Sequence, residues 1–196
     1  MRNLRTLRTV ALGMTCGLVC ATANSAPMTY DIDTNHTYPS FEADHGGMSL
    51  WRGKFSGATG TVVLDKDANS GSVDIDIDMS TIDFGHQGLN DHSKTADMFD
   101  VEQFPTATYT GNLAGFSGGS PTSIDGTLTM HGVSQPLQLA INTFACRVDP
   151  RQNREVCGAD ASATLDRSDW GVDFGSAFGF KMDVTLRIQI EALVQE

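Results

Sequence analysis

Basic residues are scarce in this chain: 13 Lys and Arg stand against 24 Asp and Glu, a net charge of −11. Such a surface repels nucleic acid and anionic lipid, so neither polyanion is an expected partner. Cysteine is scarce as well, four in 196 residues. None is arranged as C-x-x-C, the spacing of redox-active dithiols. Past residue 23, no apolar run approaches the roughly 20 residues of a membrane-spanning helix, so stable membrane insertion is not expected. Also missing are a G-x-S-x-G nucleophile turn, a glycine-rich phosphate cradle and an H-E-x-x-H metal pair. The sequence offers no catalytic constellation, and a non-enzymatic role is expected, without cofactor or metal.

The first residues read as a leader rather than as fold. Arg2, Arg5 and Arg8 precede the apolar run Val10 to Val19, and Ala21-Thr22-Ala23 supplies an A-x-A cleavage site. Residues 1–23 are therefore expected to be a signal peptide, and 24–196 one exported domain, periplasmic in a bacterium. Cys16 and Cys20 fall inside this leader, and Leu18-Val19 before Cys20 does not suit a lipoprotein site. With the leader arginines gone, ten basic residues face 24 acidic ones, a net charge of −14. Cys146 and Cys157 remain, flanking a turn marked by Pro150 and Asn153. In an oxidising compartment this pair is expected to form a disulfide, contributing roughly 3 kcal/mol for so short a loop.

What the chain has in abundance is alternation. Val73-Asp-Ile-Asp-Ile-Asp-Met79 and Met182-Asp-Val-Thr-Leu-Arg-Ile-Gln-Ile190 place every apolar side chain on one face. A period of two with one dry face is the pattern of antiparallel strands. The same beat returns in Ala107–Leu113, Ile124–Met130, Leu137–Ile141 and Ala159–Leu165. So many one-sided strands close into a barrel or pack as a sandwich, and the class is all-β. Strands are expected over 28–33, 36–44, 48–55, 59–65, 72–84, 106–116, 123–131, 135–147, 155–167 and 178–193. One short helix is expected within 89–99, where Leu89, Ala96 and Phe99 recur at helical spacing and Asn90 is a cap candidate.

Parity names a candidate interior. Ile75, Ile77 and Met79 share one face, as do Leu128 and Met130, then Leu139 and Ile141, then Val184, Leu186 and Ile188; Phe178 and Phe180 join them. Ala107, Gly111, Gly126, Ala159, Ala161 and Ala163 share the inward parity but contribute little volume. A barrel lined so thinly is expected to keep an elongated cavity. Phe84, Leu89, Met98, Phe99 and Phe104 gather around the helix. His36, His92 and Tyr109 are the candidate polar contacts. The five histidines show no metal-ligand spacing.

Several segments resemble one family in order and spacing. Asp33-x-x-His36, Phe41 and His45 are similar to the opening of the YceI-like polyisoprenoid-binding proteins. Asp91-His92, Phe99-Asp100 and Phe104-Pro105 resemble that family's helix and its exit. Gly126-Thr-Leu-Thr-Met-His-Gly-Val133 with Pro136, and Leu165-Asp-Arg-Ser-Asp-Trp-Gly171, resemble its later signatures. Ser93 stands where a leucine is usual, and Met98 replaces one of two adjacent phenylalanines. The resemblance implies an eight-stranded antiparallel lipocalin-like barrel with an isoprenoid lipid inside. Burial of roughly 0.8 kcal/mol per CH₂ lets three or four prenyl units offset the cost of association. A pyrophosphate head would need clustered cations, and Arg147, Arg151 and Arg154 share one hairpin. Unless that hairpin overhangs the mouth, a neutral head such as a quinone is expected. A homodimer is compatible with the sequence. The competing expectation is an exported stress or inhibitor module with a filled interior, binding a protein through its outer surface.

Overall fold

The computed structural model describes residues 26–196; the signal peptide assigned to 1–23 lies outside them. Eleven strands are present: β1 (Met28–Ile32), β2 (Tyr38–His45), β3 (Ser49–Phe55), β4 (Ala58–Asp65), β5 (Ser70–Asp78), β6 (Ile82–Asp83), β7 (Thr106–Ala114), β8 (Ser123–Met130), β9 (Val133–Asp149), β10 (Arg154–Asp166) and β11 (Asp183–Val194). One α-helix, α1 (Gln87–Ser93), lies between β6 and β7.

The eleven strands make eight staves. β1 runs into β2, β3 into β4 and β5 into β6, each pair forming one bent stave. β1 pairs with β4 and β2 with β3, while β11 pairs with both β1 and β2 along a single edge. The chain then continues β5–β7–β8–β9–β10–β11, and the β1–β11 pairing closes the cylinder. All pairings are antiparallel, and closure leaves the eight staves without a free edge over the barrel body. The fold is the expected eight-stranded antiparallel barrel with one short helix.

Local chemistry explains the joints. His131 and Gly132 both have positive φ, 52° and 76°, which makes the two-residue β8–β9 connection a primed hairpin turn. Cys146 and Cys157 are directly opposed in the β9–β10 register and form the expected disulfide.

Three element expectations need correction. The strand expected over 72–84 breaks at Met79–Thr81, where a 3₁₀ turn is capped by the Asp78 carboxylate accepting from the Ser80 N–H. The final strand begins at Asp183, not at Phe178. Gly175 and Gly179 at positive φ bend 175–179 into a 3₁₀ turn instead. The helix starts earlier than expected, capped by His86, whose Nδ1 accepts from the Leu89 N–H at 3.1 Å. Asn90 instead ties the preceding strand, accepting from Phe84 N and donating to Asp83.

Two apolar clusters stack inside the barrel. The larger runs from the base, where Tyr30, Leu64, Leu113 and Ala192 are buried, up the barrel to Leu128 and Leu165. The smaller lies beneath α1 around Phe41, Phe55, Met79, Ile82 and Ala107. Close approach explains two glycines. A Cβ at Gly126 would sit 2.4 Å from the Tyr109 ring, and one at Gly53 would sit 2.5 Å from that of Phe41. Each glycine lets an inward aromatic ring lie flat against the barrel wall.

Candidate functional site

A cavity of about 390 Å³ runs inward from the helix end of the barrel. This is within the range of small-molecule sites, roughly 300–1,000 Å³. Its wall is almost entirely carbon. Ile75, Ile77 and Met79 face it from the third stave, Leu128 and Met130 from β8, Leu139 from β9, and Val184, Leu186 and Ile188 from β11. Phe180, Tyr109 and His92 also stand on the wall. The parity argument placed these side chains because a strand of constant register cannot turn alternate residues to different faces.

Three candidate residues lie elsewhere. Ile141 packs against the larger cluster but does not reach the cavity wall. Phe178 is 77% exposed, because the 3₁₀ turn before β11 carries it away from the interior. His36 sits in the turn between β1 and β2, with its ring nitrogen 2.7 Å from the Asp33 carboxylate at the surface. Its hydrogen bond and the charge of Asp33 raise the His36 pKa from its ordinary value.

Several wall residues were not among those candidates, including Phe41, Phe55, His45, Trp51, Ala161 and Arg167. Ala161 is one of the small inward residues that thin the wall. Phe84, Leu89, Met98 and Phe99, the group around the helix, also line the cavity, while Phe104 instead packs against His131 at 4.8 Å.

Rings form a near-continuous collar at the open end. Phe99 meets Phe55 at 6.1 Å, Phe55 meets Phe41 at 5.8 Å, and Phe41 meets Phe84 at 5.3 Å. Trp51 lies 6.4 Å from Phe84 and 4.8 Å from His45, and His45 lies 5.4 Å from Phe180. His92 meets Phe174 edge-on at 4.6 Å. Centroid separations of this size are the favoured aromatic contacts, so the collar is packed rather than loosely assembled.

Polar groups on the wall are already engaged. The Tyr109 hydroxyl donates to the Leu137 carbonyl at 2.8 Å, and burial, with the nearby Asp125 charge, pushes its pKa far above the ordinary phenol value. Arg167 is the one Lys or Arg on the wall among the described residues. Its guanidinium donates to the Val172 and Phe174 carbonyls, which pins the segment 172–174 at the mouth. Burial lowers the Arg167 pKa, opposed by the charges of Asp166 and Asp173 beside it. The signal for this role was the Arg-Ser-Asp-Trp-Gly run. Asp166 caps the 3₁₀ turn 167–170, and the buried Trp170 anchors it by donating to the Leu128 carbonyl at 3.1 Å.

Cys146, Cys157 and Glu155 bring potential metal-ligand atoms within 4.8 Å of one another. Their sulfurs are joined in the disulfide, so no thiolate is available there. That cluster also lies at the base, away from the cavity.

The YceI-like domain model matches residues 30–192. The chain belongs to the YceI-like family. Protein YceI of Salmonella arizonae is 28% identical over 191 residues, spanning 94% of this chain and 97% of that protein. A UPF0312 protein of Pectobacterium atrosepticum is 28% identical over 196 residues, spanning 97% and 100% of the two chains. Among solved structures, the YceI protein of Campylobacter jejuni superposes with a TM-score of 0.64 at 22% identity, covering 78% of this chain and 90% of that one. A polyisoprenoid binding domain from Saccharophagus degradans superposes with a TM-score of 0.62 at 14% identity, covering 86% and 99%. The YceI-like barrel is thus shared across distant sequences. Among the described residues of this member, no helix is long and apolar enough to cross a membrane.

Proposed function

We propose that this protein is a non-enzymatic carrier that holds the tail of a long isoprenoid lipid inside its barrel, with a neutral head, quinone-like, at the mouth. The observation that carries the reading is the 390 Å³ carbon-lined cavity open at one end. A protein that worked only through its outer surface would have no use for such a space, and filling it would stabilise the fold. Membership of a family with a polyisoprenoid binding domain among its structural neighbours supports the choice of ligand.

The neutral head follows from where the cations lie. β10 is 13 residues long, roughly 40 Å of extended strand. Leu165 and Arg167 mark its cavity end, so the Arg147, Arg151 and Arg154 hairpin sits at the opposite end of the barrel. That leaves Arg167, already donating to two carbonyls and flanked by two carboxylates, as the wall's cation. One such group cannot balance a pyrophosphate. In this reading the carrier works in the periplasm, supported by the leader read in residues 1–23 and by the disulfide; there a water-filled gap separates two membranes and a prenyl tail needs shelter. The sheltering mechanism is sequestration: the tail leaves water while the acidic exterior keeps the complex dispersed.

The test is mass spectrometry of lipid extracted from the protein purified from its own host. A neutral prenyl lipid is expected. Recovery of mainly prenyl pyrophosphates would overturn the head-group assignment, and recovery of no prenyl lipid would overturn the carrier itself.

A further inference from the structure

Four of the six large apolar side chains exposed among the described residues gather at one end of the barrel: Met48 is 80% exposed, Phe178 77%, Leu50 52% and Phe174 42%, while Val148 at 60% and Met28 at 38% lie toward the base. All four belong to two segments, the β2–β3 turn region and the connection 171–182, and both segments border the open end of the cavity. The His45–Phe180 ring contact at 5.4 Å joins them. Met48 follows His45 by three residues and Phe178 precedes Phe180 by two, so the two most exposed apolar groups flank one contact on the rim. Neither lines the cavity. Burial of the tail therefore does not explain them.

Their backbone holds them out. Gly46 and Gly47 have φ of 64° and 75°, and Gly175 and Gly179 have φ of 92° and 82°. These left-handed conformations favour glycine and turn each tip sharply. Met48 and Phe178 project from the two tips, next to a carbon-lined opening. Exposed apolar groups on a rim of this kind mark a surface that spends part of its time out of water.

We infer that the rim docks on the surface of an electrically neutral lipid bilayer, with Met48 and Phe178 entering the boundary between headgroups and acyl chains. The inference rests on the carrier reading, because the bilayer is the phase from which a prenyl-tailed cargo must come. A rim sealed on that surface lets the tail slide from the acyl layer to the cavity wall without crossing water. Charge selects the type of bilayer. Asp44 and Asp173 lie in these two segments and Asp183 directly follows the second, with Lys181 as the basic residue among them. Such a rim offers no basic cluster for anionic headgroups, so attachment depends on apolar insertion.

The experiment uses the purified protein with phosphatidylcholine vesicles. Cosedimentation measures partition, and uptake of a benzoquinone bearing four prenyl units from detergent micelles measures carriage independently of any bilayer. Wild-type protein is expected to partition onto vesicles. The double variant Met48→Ser, Phe178→Ser is expected to partition at least about tenfold more weakly, since each apolar side chain contributes about that factor. Its uptake from micelles should equal the wild type's, which also verifies the fold. Met48→Trp with Phe178→Trp should partition at least as well as wild type. Absence of wild-type partition, equal partition by the serine variant, or loss of partition in the tryptophan variant would overturn the docking inference and leave the carrier standing. No uptake from micelles by wild type would overturn the carrier reading whatever the vesicles show.

Discussion

Leu186→Trp is the substitution that separates a tail-binding cavity from an incidental void. Ile77, Met130, Val184 and Leu186 pack against both interior clusters, so they form the waist where the mouth layer meets the base layer. Leu186 is paired with Ala163 on one side and Phe41 on the other. An indole there narrows the waist and cuts the deeper part of the cavity off from the mouth. Overpacking a core costs about 1–3 kcal/mol. Here the side chain grows into 390 Å³ of existing space, so the lower end of that range applies. The effect on a bound tail is larger. A prenyl unit has five carbons, worth about 4 kcal/mol at roughly 0.8 kcal/mol each when fully buried, or about three decades of affinity. The assay is a titration with benzoquinones carrying one to eight prenyl units. Wild-type affinity should climb with each unit until the cavity is full. The Leu186→Trp protein should stop climbing at least one unit earlier, with long tails bound more than about 100-fold more weakly and Tm lowered by only a few degrees. An unchanged dependence on tail length in a folded Leu186→Trp protein would refute the assignment of the waist.

Three further outcomes follow from particular groups. The Ser93 hydroxyl is buried without a hydrogen-bond partner, so Ser93→Ala should raise stability by about 1 kcal/mol or more, read as a higher urea midpoint at unchanged slope. Tyr30 and Tyr109 have pKa values pushed up by burial, with Glu155 adding to the effect at Tyr30 and Asp125 at Tyr109. Raised folded values mean stability is fully present below the unfolded phenol pKa near 10 and is lost as pH climbs above it, by up to about 1.4 kcal/mol per pH unit per phenol. Tyr30→Phe should therefore make the stability decline between pH 10 and 11.5 markedly shallower in urea titrations, and an identical decline would contradict the linkage. Replacing both Cys146 and Cys157 by Ser should cost about 3 kcal/mol, given their separation of 11 residues, while leaving quinone affinity unchanged because the bond lies at the base.

The barrel was legible because its signal is strictly local. Val73 to Met79 and Val184 to Ile190 alternate without a break, and in a closed antiparallel sheet that parity alone decides which side chains face inward. Errors arose where parity stops applying. Phe178 precedes β11 in a turn set by two glycines, so its number relative to Val184 carries no facing information. Ile141 has the inward parity, but parity does not say how deep along the axis a residue lies. His36, a candidate polar contact, instead hydrogen-bonds the Asp33 carboxylate at the surface, a local contact that carries it off the wall. The collar was the hardest part to read. Phe41, Trp51, Phe84 and Phe174 come from distant positions in the chain, and only barrel closure brings their rings together. Arg167 belongs to a motif visible in the sequence, yet its position on the wall depends on the Trp170 anchor, a contact across 42 residues.

Native mass spectrometry of the intact protein, isolated from its own host without added lipid or detergent, tests the central claim most directly. The account predicts a species heavier than the polypeptide by the mass of one prenyl lipid, lost on denaturation. A population carrying only the bare polypeptide mass, with the barrel folded, would contradict it.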